Sequence, residues 1–134
     1  MHPCSLHVLQ VTPRHALRRD PRLELINDDA YSRLRDYPGT FDVIIGDLND
    51  PVDGGPCYQL YTDDYYRSIV KEKLSPGGIF VTQSGPCGYL SASLVFTSIH
   101  NTLRQAFPAV LPYACHVPSF ADEWVRAIAA ATHA

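Results

Sequence analysis

No C-x-x-C or H-x-x-x-H pair occurs in this chain. The four cysteines (Cys4, Cys57, Cys87 and Cys115) and the six histidines are scattered. That argues against a zinc site or a disulfide framework and for isolated reduced thiols in a cytoplasmic protein. Charge is sparse too: 19% of residues are charged, and a net charge of −3 leaves no broad basic surface for nucleic acid. No apolar run approaches the roughly 20 residues that span a bilayer, so no membrane partner is expected. Acidic residues are missing from the first nineteen positions, where arginines are present. Serine is rare there, and His and Pro interrupt any amphipathic helix, which disfavours a transit peptide. Residues 1–20 are expected to form a divergent, poorly ordered segment.

What is there suits one globular domain. The chain has 134 residues, 46% of them hydrophobic, which is room for a single core. R-L-E-L-I at 22–26 alternates and predicts a short strand. N-D-D-A at 27–30 follows as a polar tip, with Asp28 or Asp29 placed to cap a helix over 31–37. F-D-V-I-I-G at 41–46 predicts the central strand. Its lack of alternation suits a parallel strand covered on both faces. A Gly- and Pro-rich loop covers 48–60. A helix begins at Thr62, Asp63 and Asp64 and buries Ile69, Val70 and Leu74; S-P-G-G ends it. I-F-V-T at 79–82 is the next strand, with Q-S-G-P as its polar tip. A helix over 91–107 aligns Val95, Ile99, Leu103 and Ala106, and a strand is expected over 110–117. The stretch 122–134 reads as strand or, given its alanines, as helix. The alternation predicts an α/β layered, mostly parallel sheet.

Two acidic tips carry the chemistry. N-D-D-A and D-L-N-D-P (47–51) each follow a strand, and in open α/β sheets ligands bind at that end. A carboxylate there can accept from a nucleoside's hydroxyls or amine. It can equally be an Asx turn or a helix cap. Asp29 has both readings open, and so does the pair Asp47 and Asp50. The loop after Asp50 is long for a strand-to-helix connection. It carries Tyr58 and Tyr61, which can wall an apolar, cation-tolerant channel or simply pack on the rim.

Five blocks now line up: F-D-V-I-I-G-D-L-N-D-P (41–51), G-G-P-C-Y-Q-L-Y-T (54–62), L-S-P-G-G-I-F-V-T-Q-S-G-P (74–86), F-T-S-I-H-N-T-L-R-Q-A-F-P (96–108) and H-V-P-S-F-A-D-E-W (116–124). Together they resemble the polyamine aminopropyltransferases, the spermidine synthase family, in the version of plant-type thermospermine synthases. The resemblance implies the C-terminal part of a Rossmann-like, class I methyltransferase-type sheet over 21–134. It implies a reaction in which decarboxylated S-adenosylmethionine gives its aminopropyl group to a polyamine, spermidine to thermospermine, releasing 5′-methylthioadenosine. No metal or other cofactor is required, because the carbon beside a sulfonium is already activated. The partners are the polyamine and the nucleoside sulfonium donor, and full-length relatives are expected to be homo-oligomers.

Carried over by motif, Asp47 is similar to the family's proton acceptor and Asp50 to an anchor for the polyamine. Asp29 and Ala30 match an Asp-Gly pair whose carboxylate contacts the donor's adenine. Pro56 and Cys57 match a Pro-Ala pair beside the same ring. Gln83 and Phe120 fall near the acceptor channel, Phe120 where many members have Tyr. The family's glycine-rich turn and ribose-binding acid have no match before Asp29, so the chain is expected to be part of a catalytic domain, showing little transfer alone. The alternatives are a non-catalytic paralogue that binds a partner, and an S-adenosylmethionine-dependent methyltransferase.

Overall fold

A computed structural model describes residues 21–88, 91–93 and 95–130. The expected tail, residues 1–20, lies outside the described residues. The elements are α1 (Ala30–Asp36), β1 (Phe41–Gly46), a 3-10 turn (Tyr58–Tyr61), α2 (Asp63–Tyr65), a π-helical stretch (Tyr66–Val70), α3 (Lys71–Lys73), β2 (Leu74–Pro86), α4 (Phe96–Ala106), β3 (Ala109–Val117), a second 3-10 turn (Pro118–Phe120) and β4 (Asp122–Ala130).

The α/β class stands. Strand order is β1-β2-β4-β3. β1 pairs parallel with β2, whereas β4 pairs antiparallel with both β2 and β3. So β1, β2 and β3 run one way and β4 is inserted against them. The expectation of a mostly parallel sheet holds for strand direction, but two of the three ladders are antiparallel. A strand that returns directly from its neighbour through a short turn must run antiparallel to it, and only five residues' spacing separates Val117 from Asp122.

β4 settles the ambiguity of 122–134 as far as residue 130. Its burial alternates, with Val125, Ala127 and Ala129 at 3%, 0% and 0% exposure. Alanine's helix preference is a few tenths of a kcal/mol per residue. Ladder bonds on both edges and small side chains beneath the helices outweigh it. The S-P-G-G turn is not a clean break either. Between Phe41 and Val43 the partner register jumps from Leu74 to Ile79, so the turn bulges out within β2. Gly78 is needed there, because a Cβ would lie 2.9 Å from the Ser75 carbonyl and 3.0 Å from that of Phe41.

The core lies on one face of the sheet. Tyr66, Val70, Phe80, Leu103, Ala127 and Ala129 are all at most 2% exposed. Rings run through it from Tyr31 to Tyr65, Tyr66, Phe80 and Phe107 at centroid distances of 5.6 to 6.2 Å. The opposite face is bare among the described residues. Val43 is 50% exposed, Ile45 69% and Leu111 66%. Among the described residues β1 is therefore covered on one face, not on both as its run suggested. Among those residues it is an edge strand, with helices packed on the Ile44 side.

Residues 22–26 form no strand. Leu23, Leu25 and Ile26 are all exposed, and alternation without a ladder partner does not make a strand. The helix expected over 91–107 begins at Phe96, after a turn.

Burial raises the Tyr66 phenol far above its usual range, and its hydroxyl has no hydrogen-bond partner among the described residues. A buried unpaired hydroxyl costs about 1–3 kcal/mol. Tyr66→Phe is thus expected to leave stability unchanged or raise it by up to about 1 kcal/mol, measured by urea unfolding. A clear loss would show that the hydroxyl is bonded.

Candidate active site

The acidic tip D-L-N-D-P leaves β1 at Gly46, at the C-terminal end of the parallel pair. The two aspartates turn to different partners. Asp50 reaches inward, where its Oδ1 accepts from Gln83 Nε2 at 2.9 Å. Gln83 is 4% exposed. Its Nε2 also lies 2.8 Å from the Leu48 carbonyl and 2.9 Å from the Tyr61 hydroxyl. Its Oε1 accepts from the Gly85 N–H at 2.9 Å and from Trp124 Nε1 at 3.1 Å. Three oxygens surround an amide with two protons, so the carboxylate and the carbonyl, which cannot donate, take them. The amide's orientation follows from the same network, because flipping it would set Oε1 against the Asp50 carboxylate. Gly85 sits at φ +81° and a Cβ there would meet Val95 at 2.9 Å, so this turn requires glycine.

Asp47 points the other way. Its side chain is 61% exposed, and Arg126 Nη1 donates to its Oδ1 at 3.0 Å. Phe120, 57% exposed, packs at a tilt against Trp124, with ring centroids 4.6 Å apart and planes at 48°. The left-handed backbone of Ala121 (φ 54°) follows directly. Asp50, Gln83 and Phe120 thus meet around Trp124 and Tyr61.

The residues expected on the donor side lie on two separate segments of the chain. Asp29 is the N-cap of α1, accepting from the backbone N–H groups of Tyr31 and Ser32 at 3.4 and 3.1 Å. A hydrogen bond from the Ser32 side chain, and after it these backbone bonds, hold its carboxyl below the usual range. Ala30 is the first helical residue. Tyr65 stacks on Tyr31; burial, and then the nearby Asp29 charge, push its phenol up to about 12. Cys57 is 2% exposed and belongs to the same buried cluster as Tyr65, with Pro56 exposed beside it. The cap leaves Asp29 able to take a further donor, since each carboxylate oxygen has two lone pairs.

Sequence reasoning missed two residues. Trp124 closed the last matching block without a role of its own, although a lone tryptophan beside a polar tip is a signal. Arg126 had a plainer one: a charge inside the alternating run of a central strand.

Among the described residues no group of three or more metal-ligating side chains converges, and no helix is long and apolar enough to cross a membrane.

Residues 7–134 match the model of the spermine/spermidine synthase domain. Thermospermine synthase ACAULIS5 of Arabidopsis thaliana is 57% identical over 103 residues, 77% of this chain and 30% of that protein. The polyamine aminopropyltransferase of Aeropyrum pernix is 42% identical over 106 residues, 78% of this chain and 33% of that protein. The chain therefore spans about a third of the length of these relatives. Spermidine synthase from Thermotoga maritima superposes with a TM-score of 0.69 at 20% identity, over 87% of this chain and 38% of that one. A spermidine synthase crystallised with the transition-state analogue AdoDATO gives 0.68 at 19%, over 87% and 37%. At that identity the two structures speak to the fold alone, which they share. With the family model matched over most of its length, the chain belongs to the spermine/spermidine synthase family.

Proposed function

We propose that this chain carries the acceptor side and part of the donor side of an aminopropyltransferase site, with Asp47 as proton acceptor and spermidine as acceptor substrate. The observation that carries this reading is the acidic tip itself. Two carboxylates leave the end of β1, and the buried Gln83 amide fixes one of them beside an aromatic wall of Tyr61, Phe120 and Trp124. Carboxylates beside aromatic faces suit a flexible polycation.

The reaction needs little more than alignment and one base. An acceptor amine is normally protonated and cannot attack. Asp47 takes that proton, and the freed nitrogen lone pair forms a bond to the propyl carbon. The carbon–sulfur bond breaks with its electrons going to sulfur, so the sulfonium leaves as the neutral thioether 5′-methylthioadenosine. Asp50 holds another ammonium and fixes the line of attack. Asp29, Ala30, Pro56 and Cys57 are the residues we assign to the adenine.

The non-catalytic reading has one observation in its favour. Asp47 is well exposed, and a base works best where water is excluded. A competing-donor assay separates the readings. The stretch 21–124 is grafted in place of the matching stretch of the Arabidopsis relative. It is then offered decarboxylated S-adenosylmethionine and S-adenosylmethionine together with spermidine. A polyamine longer by one aminopropyl unit is expected; a methylated polyamine would contradict the proposal, and no product would favour the non-catalytic reading.

A further inference from the structure

We infer that Arg126 occupies the cation seat on Asp47, so that an incoming polyamine ammonium must displace the guanidinium before it can reach this carboxylate. The inference rests on the reading of Asp47 as the residue that receives the acceptor amine.

The strand register sets the geometry. Arg126 of β4 is level with Gln83 of β2 and Tyr113 of β3. Asp47 follows Gly46, which is paired with Thr82, so it too comes level with Gln83. Asp47 and Arg126 therefore lie in one row, with β2 between them. Two strand spacings are about 9–10 Å, and the arginine side chain covers that gap by lying across β2. Nothing shorter than arginine or lysine would reach.

The charges have a direct consequence. The tip offers two carboxylates to a polycation. Asp50 is bonded to a neutral amide, which brings no competing positive charge to it. Asp47 is bonded to a cation that cannot be deprotonated in a protein. A guanidinium and an ammonium compete for the same oxygen lone pairs, and two cations cannot share one exposed carboxylate without repelling each other. The acceptor is thus expected to engage Asp50 first and Asp47 second, after Arg126 has swung away. Arg126 is only 34% exposed but its partner is open to water, so displacement is expected to weaken binding modestly rather than abolish it.

Titration of spermidine into the chain, followed by heat at low salt, tests this with four proteins: wild type, Arg126→Gln, Asp47→Asn and the double variant. Arg126→Gln is expected to bind about two- to fivefold more tightly than wild type. The gain should disappear in the Asp47→Asn background, and it should shrink in 0.3 M salt as surface pairs are screened. Arg126→Lys, which keeps the charge, should bind like wild type, and thermal melts confirm that each variant is folded. Equal or weaker binding by Arg126→Gln overturns the inference, and so does a lack of binding by both it and wild type. A gain that survives in the double variant also overturns it, because Arg126 would then act as a general repulsive charge. If Asp47→Asn binds as tightly as wild type, the reading of Asp47 itself falls instead.

Discussion

Replacing Gln83 with leucine is expected to destabilise the chain by about 2–4 kcal/mol. One buried amide serves partners on three segments: the Leu48 carbonyl and Asp50 carboxylate, the Gly85 N–H and the Trp124 indole. Leucine fills a similar volume, so packing loss is small and the cost comes from stranded polar groups. Each neutral group left unpaired in the interior costs about 1–3 kcal/mol. Asp50 and Trp124 are half-buried and regain some water, which keeps the total below the sum. For a domain of this size the expected fall in midpoint is about 8–15 °C, read by thermal unfolding. Gln83→Glu should be at least as damaging near neutral pH, because it sets a second carboxylate against Asp50. If Gln83→Leu melts within about 2 °C of wild type, the amide is not the hub described here.

The second large effect is on rate. In the grafted protein, Asp47→Asn is expected to lower aminopropyl transfer by about 10²–10⁴-fold, the usual contribution of a positioned general base. Asparagine keeps the shape of the tip and can still meet Arg126 through its carbonyl oxygen, so folding should be spared. It cannot accept the amine's proton. The loss should fall mainly on kcat, with only a modest weakening of polyamine binding, since Asp50 still anchors the polyamine. A variant that retains more than about a tenth of the wild-type kcat would remove Asp47 from this role.

Much of the fold was legible because it is local. Val43, Ile44 and Ile45 mark β1; Ile99, Leu103 and Ala106 mark α4 at helical spacing, and Thr62 and Asp29 cap helices as their side chains suggest. What could not be read locally depended on neighbours. Leu23, Leu25 and Ile26 alternate like a strand but have no ladder to join. Val43 and Ile45 look like core residues, yet one face of the sheet is bare among the described residues. Alanines 127 and 129 carry no strand signal of their own and are held in β4 by pairing on both edges.

The site divides along the same line. Asp47 and Asp50 stand out as carboxylates at a strand end, a local pattern. Which of them is held by an amide and which by a cation depends on Gln83 and Arg126, 33 and 79 positions away. No motif spacing encodes that difference, because it arises from the sheet's strand order. Asp29 shows the reverse case: its local role as a cap is present, and any contact with adenine would have to be made by the same carboxylate.

The most direct test of the account is a product analysis of the grafted protein incubated with spermidine and decarboxylated S-adenosylmethionine. The account predicts equal amounts of 5′-methylthioadenosine and of a tetraamine longer by one aminopropyl unit, both lost together in Asp47→Asn. Undiminished formation of both products in the Asp47→Asn protein would contradict it.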